Sequence, residues 1–380
     1  MEMRMNKQTI PLGSILGISI GVDYSWFLIL ALITWLLAVT YYPSEFSGWS
    51  ILQYWSAGLL TALFFFASVL LHELGHSLVA RLFKIPVRNI TLFIFGGVSQ
   101  IEEEPHSASE EFWVAIAGPG VSVILAGIFL VIELVTAGSG FVTALARYLA
   151  FINIALAIFN LIPGFPLDGG RVFRAIVWGI SKNMRRATLI ASNVGRVIAF
   201  LFILFGVWQL FTGNFLNGLW IAFIGWFLES AASSQVQQVR IQDTLAGHKV
   251  SDAMSRSYTT VSGDTTIQNL VDLHILGTGQ RSFVVKEGEE LVGLVTLHHI
   301  REIDRNNWPV TRVRQAMIPL SKLKQVTPDT QLWEALGDMD HDGVNQLPVV
   351  QDQQIVGMLN RSDVIAFLRT LRELDGKNGS

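Results

Sequence analysis

The chain has 380 residues, 51% of them hydrophobic and only 15% charged, with a mean hydropathy of +0.45. A soluble domain carries about 25% charged residues, which argues against a single water-soluble globule. Twenty-seven basic and 30 acidic residues leave a net charge of −3, with no electrostatic footprint for nucleic acid, and no nucleic-acid partner is expected. The absence of cysteine excludes disulfides, cysteine-ligated zinc, iron–sulfur clusters and thiol nucleophiles.

The average hides two halves. Residues 1–240 hold 13 Lys/Arg and 12 Asp/Glu, whereas residues 241–380 hold 14 and 18 in a much shorter stretch. The first half has the composition of a membrane domain and the second that of a soluble one. The switch falls at the polar run Ser233–Gln238. A bilayer-spanning helix needs about 20 mostly apolar residues. Six stretches qualify: Tyr24–Tyr41, Ser56–Leu82, Phe112–Val135, Val142–Leu161, Val194–Phe211 and Phe215–Ala232. The first lies too far along the chain to be a cleaved signal peptide.

Loop charge gives an expected orientation. Arg4 and Lys7 precede the first span, Arg81, Lys84 and Arg88 follow the second, and Arg171, Arg174, Lys182, Arg185 and Arg186 follow the fourth. The intervening loops 42–50, 136–141 and 212–214 hold no Lys or Arg. Basic loops alternate, so both termini are expected in the cytoplasm of a multi-pass cell-membrane protein.

The second span contains His72-Glu73-Leu74-Gly75-His76. On a helix, residues four apart share a face, so His72 and His76 can direct imidazole nitrogens at one metal ion. Two histidines with no cysteine favour zinc, completed by an oxygen ligand and an open water position. Glu73 beside them can take a proton from water. Ionisable groups at bilayer depth are costly and usually functional, and here three fall within five residues. Among the remaining acids of the membrane half, Asp168 is the best third ligand. It lies in Asn160–Arg171, a segment with two prolines and three glycines that must break a helix. Irregular backbone at membrane depth is tolerated where it is buried in protein or lines a wet cavity. The local pattern alone leaves a second reading open, a cytoplasmic turn whose Asp168 caps the next helix.

The pair His72-Glu73-Leu74-Gly75-His76 and Asn160-x-x-Pro163-x-x-Pro166-Leu167-Asp168-Gly169-Gly170 resembles the site-2 protease family of intramembrane zinc metalloproteases. The resemblance spans most of residues 10–235. It implies one zinc per chain held by His72, His76 and Asp168, with Glu73 as general base and spans two to four as the catalytic core. The stretch Phe95-Gly96-Gly97-Val98-Ser99-Gln100-Ile101, within the β-rich segment 85–101, reads as a hairpin dipping back into the membrane. In the family such a hairpin holds an extended substrate strand, so Gly96 and Gly97 are expected at the substrate. A peptide bond in a helix is shielded, so the substrate must unwind, and its freed backbone groups then need partners in a dry place. By the family pattern Asn160 lines the site, although an interhelical hydrogen bond is the competing role. Ala117-Gly118-Pro119-Gly120 is assigned to close helix packing. The acidic loop 102–106 reads as a solvated face.

The soluble half contains a repeat of about 64 residues. Val250-x-x-Ala253-Met254 recurs as Val313-x-x-Ala316-Met317, and Leu291-Val292-Gly293 as Ile355-Val356-Gly357. Each copy reads strand, helix, strand, strand, helix. The repeat resembles a tandem pair of cystathionine-β-synthase (CBS) motifs, at about 244–304 and 311–371. The resemblance implies a regulatory module that binds an adenine nucleotide between its copies. The family's ribose contact is Ser/Thr-x-x-Asp. Here the first copy has Thr296-x-x-His299 and the second Asn360-x-x-Asp363, so Thr296 and Asp363 are the candidate contacts. A ligand-free dimerisation module stays open.

The expected architecture is a polytopic α-helical membrane domain over 1–240, with six spans and a re-entrant β-hairpin, followed by a soluble α/β CBS module over 241–380. The expected function is an intramembrane zinc endopeptidase that cuts transmembrane segments of single-span regulatory proteins in the bilayer, using zinc-activated water. The competing class is a CBS-regulated transporter or metal-handling protein whose zinc site does not hydrolyse. Glu73 discriminates the two, being essential only to the protease.

Overall fold

The computed structural model describes residues 9–94, 96–101, 104–137, 140–280, 282–288, 290–352 and 354–375. Arg4 and Lys7 of the orientation argument, Phe95 of the hairpin, and Glu102 and Glu103 of the acidic loop lie outside the described residues. Contacts divide the chain into two compact units, one ending at Val239 and the other starting at Arg240.

The first unit opens with β1 (Thr9–Ile15) and β2 (Ile18–Asp23), followed by α1 (Tyr24–Glu45) and α2 (Ile51–Leu82). Next come β3 (Val87–Phe93), β4 (Gly96–Ile101), α3 (Ala108–Val135) and α4 (Phe141–Asn160). The short helix α5 (Asp168–Ser181) precedes α6 (Met184–Phe211) and α7 (Phe215–Leu245). All but α5 are long and apolar enough to cross a membrane, giving six, as the hydropathy pattern predicts. Several start earlier than the apolar stretches do, because polar caps extend them. Ser50 and Gln53 form a reciprocal capping box at the start of α2. Ser107 Oγ accepts from the Glu110 N–H at the start of α3, and Asn183 Oδ1 accepts from the Arg186 N–H at the start of α6.

Helix α2 is the axis of this unit. Its 32 residues span about 48 Å at 1.5 Å per residue, well beyond the ~30 Å hydrocarbon layer. Half of its most apolar window is buried, against 17% for α1 and α6. Buried polar contacts fix its neighbours. Tyr42 and Thr61 share a hydrogen bond of 2.6 Å between α1 and α2, and Asn153 of α4 donates to Ser68 Oγ at 3.2 Å. Such interhelical bonds are a recurrent glue where no water competes.

The predicted hairpin is present as β3 and β4, but as half of a larger sheet. The strand order is β1-β2-β3-β4, with β2 and β3 parallel in the register Ser19 to Asn89 and Val22 to Leu92. The sheet packs on α2 through Ile18, Leu74, Ile85, Ile90 and Val114 in one cluster, and Val22, Val69 and Leu92 in another. Arg81, in the last turn of α2, donates to the carbonyls of Leu16 and Gly17 and ties down the β1–β2 turn. Strands β1 and β2 pair with each other as a local hairpin, and only β2 joins β3, about 70 residues away, so local pattern does not place the pair in this sheet.

In the second unit, α8 (Val250–Ala253) and β5 (Thr260–Ser262) lead to a helical stretch at 267–278. It continues with β6 (Ser282–Glu287), β7 (Glu290–Thr296) and α9 (Leu297–Arg301). The second copy supplies α10 (Val313–Ala316), β8 (Ile318–Pro319), α11 (Leu332–Asp342), β9 (Gln346–Gln351), β10 (Gln354–Asn360) and α12 (Arg361–Asp375). The copies exchange their lead-in segments. Leu245 and Val250 pack into the core of Val326, Leu332, Met339, Val349 and Leu359, while Val313 packs with Val261, Ile267, Phe283 and Val295. The backbone exchange is reciprocal: Val250 N–H donates to Thr330 O and Val313 N–H to Thr265 O, each at 2.9 Å. Exposed pairs repeat the symmetry, Lys249 with Asp329 and Arg312 with Asp264, both at 2.6 Å.

This exchange makes a prediction. Leu245→Ala should cost about 2–5 kcal/mol, the usual range for a fully buried leucine. Hydrogen–deuterium exchange should rise first in residues 326–364, the second copy's core. A rise confined to residues 261–300 would contradict the exchanged packing.

Candidate metal centre

His72 and His76 lie one turn apart on α2, both buried, with their Nε2 atoms 3.3 Å apart. Asp168, the first residue of α5, brings Oδ2 to 3.1 Å from His72 Nε2 and 3.2 Å from His76 Nε2. The side chain of Asp168 therefore turns to the histidines, and α5 has no side-chain cap at its start. A tetrahedral zinc ion with ligands at 2.0–2.1 Å spaces them about 3.3 Å apart. The three measured edges fit one face of that tetrahedron to within about 0.2 Å. Two imidazoles and a carboxylate are also the donor set of a catalytic zinc site with one position left open. This is the one such cluster of three acidic or imidazole groups among the described residues.

Helix α3 backs the cluster. His76 Nδ1 lies 2.7 Å from Val114 O. A carbonyl only accepts, so Nδ1 carries the hydrogen and Nε2 keeps its lone pair towards the cluster. His72 Nδ1 lies 2.9 Å from Ser122 Oγ. A Cβ added to Gly118 would overlap the Nε2 atoms of both histidines. Gly118 thus leaves the space in which an ion would sit, a role beyond the helix packing expected from sequence.

The turn before Asp168 is held by backbone contact. A Cβ on Gly164 would meet Gly195 Cα of α6 at 2.5 Å, so loop and helix touch main chain to main chain. An ion pair then locks α5 to α3. Glu111 is fully buried and accepts from Arg174 Nε at 2.6 Å, with Arg171 Nε at 4.0 Å. Arg174 also reaches Thr188 of α6 and lies over the Phe165 ring, 5.1 Å from its centroid. An apolar span starting at Phe112 leaves Glu111 outside it, whereas the helix itself begins at Ala108. The available signal was spacing, since Glu111, Gly118 and Ser122 recur at helical intervals on one face.

Glu73 is half-buried beside the histidines and faces β4: a Cβ on Gly97 would stand 2.6 Å from Glu73 Cγ. Gly96 opens β4 opposite Phe93. β4 ends the sheet order, so one edge of it pairs with no strand among the described residues. Asn160 is the last residue of α4 and half-buried. Asn153, seven residues earlier, makes the interhelical bond to Ser68 of α2. Two further acids pair between helices: Glu133, near the end of α3, with Arg147 of α4 at 2.7 Å, and Glu229, midway along α7, with Arg196 of α6 at 3.4 Å.

The nucleotide candidates are engaged within their own copies. Thr296 caps α9, and its N–H and hydroxyl both lie 3.3 Å from His299 Nδ1. Burial, reinforced by neighbouring His298, lowers the pKa of His299 below the usual histidine value and favours its neutral form. Asp363 Oδ2 accepts from Asn360 Nδ2 at 2.7 Å.

An H-E-x-x-H helix, joined by a carboxylate from a second helix among six apolar helices, defines a membrane-embedded metallohydrolase. The comparisons agree. The profile of peptidase family M50 matches residues 60–147 and 135–203, and that of the CBS domain matches 250–306 and 313–370. The chain is 33% identical over 371 residues to "Putative zinc metalloprotease Rip3" of Mycobacterium tuberculosis, covering 96% of this chain and 94% of that protein. It is 35% identical over 371 residues to "Putative zinc metalloprotease sll0528" of Synechocystis, covering 96% of both. Among solved structures, the site-2 protease from Methanocaldococcus jannaschii is 29% identical, covers 60% of this chain and 94% of that one, and gives a TM-score of 0.42. The chain belongs to peptidase family M50, the zinc metalloproteases of site-2 type, and carries a tandem CBS pair.

Gly118→Ala should therefore exclude zinc while leaving the fold intact. Elemental analysis of the purified protein should find about one zinc in the parent and close to none in the variant. Full zinc occupancy in Gly118→Ala would contradict the packing.

Proposed function

We propose that the protein cuts transmembrane segments of single-span membrane proteins, with His72, His76 and Asp168 holding one zinc ion and Glu73 as general base. The observation that carries this reading is the ligand triangle itself, with Glu73 set between it and the glycines of β4. Zinc in such a site supplies Lewis acidity, making water more acidic and a carbonyl more electrophilic.

The chain's own groups do the rest. The unpaired edge of β4 offers backbone donors and acceptors to an extended peptide, with Gly96 and Gly97 letting it approach closely. Asn160, at the end of α4, is the candidate donor to the substrate carbonyl. Glu73 takes the proton of the attacking water as the new C–O bond forms. It returns that proton to the leaving nitrogen as the C–N bond breaks. No acyl-enzyme is required, in keeping with a chain that lacks cysteine.

We infer from loop charge that both termini are cytoplasmic. His76 then lies about eight residues before Lys84, in the basic stretch that follows α2, roughly 12 Å at the helical rise. Cleavage would fall in the cytoplasmic part of a substrate helix and free its cytoplasmic portion. The CBS pair is the regulatory module in this reading. Thr296 and Asp363 are its candidate adenine-nucleotide contacts, and its surface is the candidate homodimer interface.

The test is cleavage of a single-span substrate in detergent or liposomes by the parent and by Glu73→Gln. The variant should retain zinc and lose at least about 1,000-fold in rate, since proton transfer alone contributes 100- to 10,000-fold. Equal cleavage by both proteins would overturn the role of Glu73.

A further inference from the structure

One face of α3 touches the surroundings of all three ligands. Glu111, Val114, Gly118 and Ser122 follow one another at intervals of three, four and four residues, which places them in one stripe along the helix. Glu111 holds α5, the helix that begins with Asp168, through Arg174. The carbonyl of Val114 fixes His76. Gly118 clears the space between the histidines. Ser122 Oγ lies against the other ring nitrogen of His72, Nδ1.

We propose that Ser122 is a positioning residue for the metal centre, acting through His72. Both residues are buried, Ser122 completely and His72 to 3% exposure, and the contact of 2.9 Å joins helices 50 positions apart in sequence. If Nε2 of His72 is to face the carboxylate of Asp168 and an ion, its hydrogen must sit on Nδ1. Ser122 Oγ is the acceptor placed to receive it. Without the hydroxyl, the Nδ1–H would be left in a dry, close-packed place with no partner, and the ring would lose both its tautomer bias and its rotational stop. The serine is not there merely for its size, since alanine would pack an α-helix at least as well. This assignment rests on His72 being a metal ligand.

The test measures zinc affinity by chelator competition on the full-length, detergent-solubilised protein, comparing the parent with Ser122→Ala and Ser122→Thr. Cobalt-substituted samples supply a spectroscopic readout. Loss of an outer-shell partner of a ligating histidine typically costs 10- to 100-fold in metal affinity. Ser122→Ala should weaken zinc binding by that factor and shift the visible cobalt bands. Ser122→Thr, which keeps the hydroxyl, should bind within about threefold of the parent. Parental affinity in Ser122→Ala would overturn the proposal. Equal weakening in both variants would overturn it too, because it would show a packing role. His72→Ala separates this from the ligand assignment: if it retains parental zinc affinity, the ligand set itself is wrong.

Discussion

The rest of the membrane unit depends on one constraint, the convergence of three polar side chains from two helices at a point without bulk water. Two imidazoles come free from helical periodicity, because His72 and His76 share a face. The carboxylate does not. Asp168 must arrive from a different helix and stop within about 3 Å of both rings. Its approach requires a broken helix, supplied by the Asn160–Leu167 turn. The turn in turn requires glycine-to-glycine contact with α6 at Gly164 and Gly195. Every polar group so buried needs a partner, since unsatisfied ones are costly in a dry interior. Helix α3 provides most of them.

Buried ion pairs are weak sources of net stability, but breaking one is strongly destabilising, because the remaining charge is stranded. Glu111 and Arg174 form such a pair, and it lies across the joint between α3 and α5 rather than within one helix. Its placement makes sense as a specifier of geometry: it fixes how far α5 can slide, and hence where Asp168 points. The same helix face carries Val114, Gly118 and Ser122, so one rigid element sets the angle, clearance and tautomer of the histidines together.

Much of this was legible in the sequence. Six apolar stretches gave the spans, and the fixed spacing of His72, Glu73 and His76 gave the core of the site. Asp168 stood out as an acid beside prolines and glycines in a membrane domain, with family resemblance deciding between ligand and cap. The supporting groups were less visible for physical reasons. The acceptor for His76 is the main-chain oxygen of Val114, and a carbonyl leaves no mark in a sequence. Ser122 is one small polar residue among many in a helix that also uses small residues to pack. Strands β1 and β2 enter the sheet only through the parallel pairing of β2 with β3, far away in the chain. In the CBS module the repeat was plain, but the exchange of Leu245, Val250 and Val313 between the copies' cores was not, because repeat boundaries in sequence need not coincide with packing boundaries.

The central claim is the identity of the metal ligands, and X-ray absorption at the zinc edge tests it most directly. The account predicts a four-coordinate site with two imidazoles and light oxygen ligands at about 2.0–2.1 Å. In Asp168→Ala, zinc should be lost or its oxygen shell altered, with the two-imidazole signature kept in any metal that remains. A spectrum with three or more imidazoles, or one unchanged by Asp168→Ala, would contradict the account.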